Sequence, residues 1–198
     1  IDVFLLDAFG VLNIGDTAIP GVPERVAGLQ RAGKRVLVVS NAAGYPHSNL
    51  MRKYNSLGYD FSPEDVITSR KATLAGLLNL PTLRWGLMAT KSLGREDLEH
   101  IDVTYLAENL AAYDEAEGFI LMGSAVWSEQ RQALLEISLS RNSRPVIVGN
   151  PDIVAPRENS FSKEPGRFAH RLADTTGVVP QFFGKPFSNI FDLAFERL

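Results

Sequence analysis

Three polar residues of this chain, Asp7, Ser40 and Lys185, could together perform chemistry on a phosphoryl group. A carboxylate can attack a phosphoryl or alkyl centre, hold a metal ion, or do both. A hydroxyl can donate a hydrogen bond to a phosphoryl oxygen, and an ammonium group can neutralise charge on the nucleophile and on the phosphoryl group. The set therefore makes a coherent phosphate site, provided that the fold brings its members together.

Each of these residues follows a segment that is typical of a strand in a parallel sheet. Asp7 ends the apolar run 3–6, Ser40 follows 35–39, and Lys185 comes shortly after 181–183. Buried parallel strands are continuous apolar runs, and ligands bind at their carboxyl ends in open α/β sheets. Taken singly, Asp7 could only cap a turn, Ser40 could only end a strand, and Lys185 could only begin a solvated helix.

Strand-like and helix-like segments alternate along most of the chain. Further strands are predicted at 84–89, 119–123 and 146–148, and helices at 23–32, 48–57, 71–78, 106–113, 128–139 and 167–175. Ser128 is suited to cap the start of its helix, and Gly33 and Gly58 are suited to end two others. Such alternation predicts an α/β fold built on parallel sheets.

Composition narrows the classes of function. The 198 residues carry a net charge of −3, which gives no electrostatic footprint for nucleic acid. The chain has no cysteine, and its three histidines, His47, His100 and His170, lack the spacing of a metal site. No apolar run approaches the roughly 18 residues of a membrane span and no signal segment is visible, so we expect a cytoplasmic protein without membrane contacts.

Several short motifs occur in an order that is specific as a set, although no single motif is. They are Leu5–Leu12, Ile19-Pro20-Gly21, Val38–Asn41, Gly149–Asp152, Pro165-Gly166 and Gly184-Lys185-Pro186. In this set the chain resembles the haloacid dehalogenase superfamily of aspartyl phosphotransferases. It resembles most of all subclass IIA, which includes p-nitrophenylphosphatases, pyridoxal phosphatases and nucleotide or sugar phosphatases. The resemblance covers nearly the whole chain and implies a Rossmann-like parallel sheet core with an inserted α/β cap domain.

The spacing of the motifs locates the inserted domain. Only 33 positions separate Asp7 from Ser40, whereas 145 separate Ser40 from Lys185. The resemblance then implies a first part of the core at 1–78, a cap at 79–179 and a return to the core at 180–198. Asn150 and Asp152 would lie on the cap and face the core site to help select the substrate. Their alternative role is that of a simple turn.

The resemblance also implies roles for the other motif residues. Asp7 would be the nucleophile and a Mg²⁺ ligand, and the backbone carbonyl of Phe9 would be the second ligand. Ser40, Asn41 and Lys185 would hold the phosphoryl group, and Lys185 would also act in catalysis. The expected substrate is a small phosphorylated metabolite, and the resemblance allows a homodimer formed through the cap.

Phe9 is the first departure from the family pattern, which places a second aspartate two positions after the nucleophile. That aspartate protonates the leaving group and later activates water, and the loss of a general acid–base typically costs ~10²–10⁴-fold. Dehalogenases of the superfamily carry an aromatic residue here, but their cap lies in the first gap, where this chain has no room. Phe9 could still suit a leaving group that needs no proton.

The C-terminal end is the second departure. The family places a Gly-Asp and a further acid on the next strand to complete the Mg²⁺ site, whereas this chain ends at Leu198, 13 residues after Lys185. Asp192 lies in the helix-like run 189–198 and is a poor substitute. We therefore expect a core that is truncated at its C-terminus, with weak or absent Mg²⁺ binding.

Two functions of different class fit these residues. The first is a phosphatase that forms an aspartyl-phosphate on Asp7, which the retained Ser40 and Lys185 favour. The second is a non-catalytic relative that binds a phosphorylated metabolite or a protein partner, which Phe9 favours.

Overall fold

The computed structural model describes residues 1–157 and 160–198. Its strands are β1 Val3–Leu6, β2 Asn13–Ile14, β3 Thr17–Ala18, β4 Arg35–Ser40, β5 Val66–Thr68, β6 Trp85–Met88, β7 Val103–Tyr105, β8 Gly118–Leu121, β9 Val146–Val148, β10 Val154–Pro156, β11 Phe161–Lys163 and β12 Gln181–Phe182. Its helices are α1 Val22–Arg31, α2 His47–Ser56, α3 Ser69–Leu77, α4 Leu110–Glu115, α5 Glu129–Arg141, α6 Pro165–Thr176 and α7 Ser188–Phe195. The α/β class with parallel sheets that the sequence predicts is confirmed.

The first sheet has the order β1-β4-β5, and all of its strands are parallel. Its central strand β4 is apolar from Val36 to Val39 and is buried on both faces, as expected of a parallel strand. One face packs on α1 and α2 and the other on α3 and α7. Because the strands are parallel, Asp7 and Ser40 follow or end them at the same edge of the sheet.

The second sheet has the order β12-β9-β8-β6-β7, again with parallel strands. One face packs on α4, α5 and α6 through a cluster of buried side chains that includes Phe119, Leu135 and Leu172. We call the first sheet with α1, α2, α3 and α7 the first lobe. The second sheet with α4, α5, α6 and the antiparallel hairpin of β10 and β11 is the second lobe.

The second lobe contains most of the predicted cap range. The boundary near 179 stays a prediction, and β12, which lies just after it, still pairs with β9 of the second sheet. The chain therefore returns to the first lobe after Phe182, at the loop that carries Lys185.

A buried arginine joins the two lobes. Arg70 of α3 is 3% exposed, and its guanidinium bonds to the Asp97 carboxylate at 3.1 Å and to the Glu96 carbonyl at 2.6 Å. The carboxylates of the same two acids accept from the first amides of α2, at His47 and Ser48, at 3.2 Å each. These contacts hold the lobes at a defined distance on either side of a cleft.

No helix within residues 1–157 and 160–198 has the length and apolar character needed to cross a membrane.

Candidate active site

The loop after β1 sets the position of the Asp7 carboxylate. One carboxylate oxygen accepts a hydrogen bond from the next amide, Ala8 N, at 2.7 Å, and the side chain is 47% exposed. The Ala8 carbonyl in turn accepts from the three amides of residues 11–13 at 2.8–3.2 Å. Gly10 has φ 83°, which favours glycine, and allows this tight turn. The carboxylate therefore stands at the carboxyl edge of the sheet and is partly exposed to solvent.

Lys185 contacts Asp7 directly, ammonium group to carboxylate. The lysine lies in the loop between β12 and α7, so 178 positions of sequence separate the partners but the fold brings them together. Gly184 before it has φ 123°, and a Cβ there would lie 2.5 Å from the Asn41 side-chain oxygen. Only glycine fits, because the loop must pass so close to the end of β4.

Asn41 holds the Lys185 loop in place and also reaches the second lobe. Its side-chain oxygen accepts from the Lys185 amide at 2.7 Å, and its amide group donates to the Lys185 carbonyl at 3.0 Å. The same amide group donates to the Asp152 carboxylate at 2.8 Å. Asn41 is therefore engaged with protein groups on both sides of the cleft.

Ser40 lies at the predicted edge, but its hydroxyl does not open to the cleft. The residue is fully buried, and neither its hydroxyl nor that of the neighbouring Tyr54 has a hydrogen-bond partner of acceptable geometry among the described residues. Burial, and then the negative charge of Asp7, raise the pKa of the Tyr54 hydroxyl, while the nearby Ser40 hydroxyl opposes that rise. The two buried hydroxyls therefore lie close to each other at the end of β4.

Asn150 and Asp152 form a turn of the second lobe that faces Asn41. The Asn150 side-chain oxygen accepts from the Asp152 amide at 3.0 Å. Burial raises the pKa of the Asp152 carboxyl, and the Asn41 hydrogen bond and the Lys185 charge oppose that rise. Asn150 and Asp152 both line the cleft. They can therefore form a turn and also contact a ligand.

Glu164 is a buried acid of this cleft that sequence reasoning missed. It is 6% exposed and accepts from the Asn150 amide group at 3.2 Å, from Ser124 Oγ at 3.4 Å and from Arg157 at 3.1 Å. The available signal was its place directly before Pro165-Gly166, where α6 begins. Nothing in the sequence pattern marked Arg157, because its position depends on this tertiary contact.

The Phe9 ring has a cation from each lobe beside it. Lys53 Nζ lies 5.4 Å from the ring centroid, and the Arg157 guanidinium carbon lies 5.7 Å from it. Lys53 is also held by the Asp16 carboxylate at 2.7 Å and by the Gly15 carbonyl at 2.9 Å. Two residues after Asp7 the chain therefore has an apolar ring between two cations, and this ring cannot donate a proton.

An open cleft of about 640 Å³ runs between the lobes, including the solvent at its mouth. Phe9, Asn41 and Tyr45 line it from the first lobe, and Asp152 and Arg157 from the second. Its lining of apolar walls with a few polar groups suits a small organic molecule.

The residues present fit a divalent cation only in part. No group of three or more His, Cys, Asp or Glu side chains suited to a metal occurs within 1–157 and 160–198. The Asp7 carboxylate is partly exposed and is a hard oxygen donor of the kind that Mg²⁺ prefers. Mg²⁺ often takes one or two carboxylates together with substrate phosphate oxygens and water, and Asp7 supplies one such carboxylate.

Comparisons with known proteins bear on the family and the fold of the chain. A family-wide sequence profile described as haloacid dehalogenase-like hydrolase matches residues 4–101, the range that contains Asp7 and Ser40. The solved structure of a 4-nitrophenylphosphatase from Thermotoga maritima superimposes with a TM-score of 0.79 at 23% identity and covers 100% of this chain and 73% of that one. Residues 4–101 belong to the haloacid dehalogenase-like hydrolases.

Characterised relatives of this haloacid dehalogenase-like chain extend the match over almost its whole length. The acid sugar phosphatase of Staphylococcus haemolyticus is 24% identical over 196 residues, which is 98% of this chain and 72% of that protein. The 4-nitrophenylphosphatase of Schizosaccharomyces pombe is 23% identical over 209 residues, with 96% and 70% covered. Both names are consistent with the resemblance to subclass IIA.

Proposed function

We propose that this protein is a phosphatase of small phosphorylated metabolites that works through an aspartyl-phosphate on Asp7. The observation that carries the proposal is the direct contact of the Asp7 carboxylate with the Lys185 ammonium group, next to Phe9 and Asn41, which line the cleft between the lobes. The phosphatase names of the relatives from Staphylococcus haemolyticus and Schizosaccharomyces pombe support the same class of reaction.

The chemistry follows from the two groups. An Asp7 carboxylate oxygen attacks phosphorus and forms an acyl phosphate, while the bond from phosphorus to the ester oxygen breaks and its electron pair leaves with the alcohol or phenol. Water then attacks the acyl phosphate, which releases inorganic phosphate and restores the carboxylate. Lys185 neutralises charge on the phosphoryl group at both stages. The hydrogen bond from Ala8 N orients the carboxylate before it attacks.

Ser40 and Asn41 are proposed to help bind the phosphoryl group. Asn41 already holds the Lys185 loop, and the Ser40 hydroxyl, buried at the end of β4, would have to turn toward the cleft to reach a phosphoryl oxygen. Asp7 and the Phe9 carbonyl would hold Mg²⁺, which when bound would add positive charge at the phosphoryl oxygens.

The second lobe is proposed to select the organic part of the substrate, with residues 79–179 as the cap. Asn150 and Asp152 supply an amide and a carboxylate at the cleft wall, and both already bond to neighbours there. Polar lining of this kind favours a substrate whose organic part carries hydroxyl groups.

Phe9 restricts which esters can react. Its ring cannot protonate a leaving group, so an ester of a poor leaving group, such as a sugar alkoxide, should react slowly. Esters of p-nitrophenol and acyl phosphates need little protonation. Phe9 also supports a second candidate function, in which the cleft binds a phosphorylated metabolite or a protein partner without turning it over.

Phosphate release from p-nitrophenyl phosphate by the full chain, with Mg²⁺, tests the proposal. Wild type should release phosphate, and Asp7→Asn should reduce release to background because an amide cannot form the acyl phosphate. Asp2→Asn is the matched control, since its exposed carboxylate lies outside the cleft. Absence of turnover in wild type, together with tight calorimetric binding of a sugar phosphate, would favour the non-catalytic function instead.

A further inference from the structure

We propose that Arg157 stabilises the negative charge that develops on the leaving-group oxygen, in the place where a proton donor is lacking. The inference rests on the phosphatase function proposed above and adds to it a catalytic residue from the second lobe.

The placement of Arg157 is the first observation. Its guanidinium carbon lies 5.7 Å from the centroid of the Phe9 ring, and both residues line the cleft. Phe9 belongs to the loop that begins at Asp7, whereas Arg157 follows β10 of the second lobe. The contact between Phe9 and Arg157 therefore crosses the cleft, and Phe9 is only two residues after the nucleophile.

The direction of the reaction makes this placement useful. In a phosphoryl transfer the attacking and leaving oxygens are roughly in line on opposite sides of phosphorus. Asp7 attacks from the first lobe, so the leaving oxygen must face the second lobe. Among the described residues that line the cleft, Arg157 is the one with a positive charge, whereas Asp152 and Glu164 are acids.

Glu164 is the side chain that holds the guanidinium by a hydrogen bond among the residues that the structure describes. One terminal nitrogen of Arg157 donates to Glu164 at 3.1 Å, and the side chain is 40% exposed, compared with 8% for Glu164. Arg157 is also fixed through its backbone, since its amide donates to the Ser160 carbonyl at 2.8 Å. A guanidinium has five donors, so several remain for an oxygen in the cleft.

Arginine supplies charge and hydrogen bonds here, and it does not supply the proton. It stays protonated at all relevant pH values, so the leaving oxygen keeps the electron pair of the broken bond and takes its proton from solvent water. The benefit should grow with the charge that the leaving oxygen carries, and it should therefore be greatest for the poorest leaving groups.

The test is the dependence of kcat/KM on leaving-group acidity in the full chain. A series from p-nitrophenyl through phenyl to simple alkyl phosphates is assayed with wild type, Arg157→Gln and Arg157→Lys. Arg25→Gln is the matched control, an exposed arginine of α1 outside the cleft. We expect Arg157→Gln to lose about 10²-fold on alkyl phosphates and little on p-nitrophenyl phosphate. Arg157→Lys should lose less, and Arg25→Gln should follow wild type throughout.

Each other outcome would overturn the proposal in a distinct way. An equal loss for every ester in an active enzyme would make Arg157 a structural residue. A loss confined to esters with a second anionic group would make it a recognition residue. Absence of turnover by wild type on every ester, or full activity in Asp7→Asn, would overturn the proposed function itself and this inference with it. Thermal unfolding of each variant checks that the fold is retained.

Discussion

Asn41 and Lys185 are joined by two hydrogen bonds, in which one side-chain amide meets both the N–H and the carbonyl of one backbone residue. The distances are 2.7 Å from the Lys185 amide to the Asn41 oxygen and 3.0 Å from the Asn41 nitrogen to the Lys185 carbonyl. Such pairing fixes the loop much as a neighbouring strand would. The ammonium group reaches Asp7 because its backbone is held in this way.

Asn41→Ala should therefore weaken both the fold and the site. The loss of these bonds, and of the one to Asp152, leaves backbone groups of Lys185 unpaired, which should cost about 1–3 kcal/mol of unfolding free energy. Displacement of the ammonium group by about 1 Å should lower kcat by about 10²-fold. Urea unfolding and steady-state kinetics measure the two effects, and exposed Asn142→Ala is the control. Wild-type kcat in Asn41→Ala would show that the loop is held by other contacts.

Gly166→Ala should disturb the wall of the cleft formed by Asn150 and Asp152. A Cβ at this position would lie 2.0 Å from the Pro151 carbonyl oxygen, so α6 must move away from the turn. Overpacking of this kind costs about 1–3 kcal/mol or more, and KM should rise as the turn shifts. Gly28→Ala in α1 is the matched control, because a Cβ there meets nothing within 4 Å. The control should gain about 0.5–1 kcal/mol from the better helix propensity of alanine.

Ionisation of Asp152 should lower the stability of the folded protein. Burial raises the pKa of this carboxyl, with the charges of Asp7 and Glu164 adding to the rise and the Asn41 bond and the Lys185 charge opposing it. The folded-state pKa lies above the ordinary value of 3.8. The loss of unfolding free energy caused by ionisation is therefore absent below pH 3.8 and complete once the pH exceeds the folded-state pKa.

Asp152→Asn tests this dependence, because the amide keeps an oxygen for Asn41 but cannot ionise. The unfolding free energy of the variant should increase relative to that of wild type as the pH rises from about 3 to about 7, because only wild type pays the cost of ionising residue 152. Urea unfolding at several pH values gives the difference, and exposed Asp174→Asn is the control. Parallel curves for Asp152→Asn and wild type would contradict the expectation.

Phe9→Asp should extend the range of esters that the enzyme hydrolyses. A carboxyl group at this position could protonate a poor leaving group, so turnover of a sugar phosphate should rise by ~10²-fold or more. Turnover of p-nitrophenyl phosphate should change little. Phe9→Asn is the control, because asparagine has nearly the same shape as aspartate but no acidic group. Fast hydrolysis of a plain sugar phosphate by wild type would show that another group supplies the proton.

The sequence predicted the elements whose signals are local. Ser128 caps α5, since its hydroxyl accepts from the Arg131 amide at 3.2 Å, and the helix runs over Glu129–Arg141 where 128–139 was expected. β9 coincides with the predicted 146–148. Continuous apolar runs and a capping residue specify these elements without help from the rest of the fold.

Elements that depend on tertiary contacts were missed. The helix predicted at 106–113 begins later than expected, because α4 spans Leu110–Glu115, and the strand β7 at Val103–Tyr105 was not predicted. In β7 only Val103 is buried, so the strand is defined by its pairing with β6 and not by an apolar pattern. The hairpin of β10 and β11 was missed for the same reason.

The candidate site divides in the same way. Motif order located Asp7, Asn41 and Lys185, and the structure brings these three together. Arg157 and Glu164 were not found, since an ion pair across a hairpin and a contact across a cleft leave no periodic signal.

Chemical identification of the phosphorylated residue is the most direct test of nucleophilic catalysis by Asp7. Full-length protein is quenched during turnover of p-nitrophenyl phosphate and reduced with tritiated borohydride, which converts an acyl phosphate of aspartate to homoserine. Peptide mass spectrometry then locates the label. We predict homoserine at Asp7 and at no other carboxylate, and no label in Asp7→Asn. Turnover without a label at Asp7, or a label at a different residue, would contradict nucleophilic catalysis by this carboxylate.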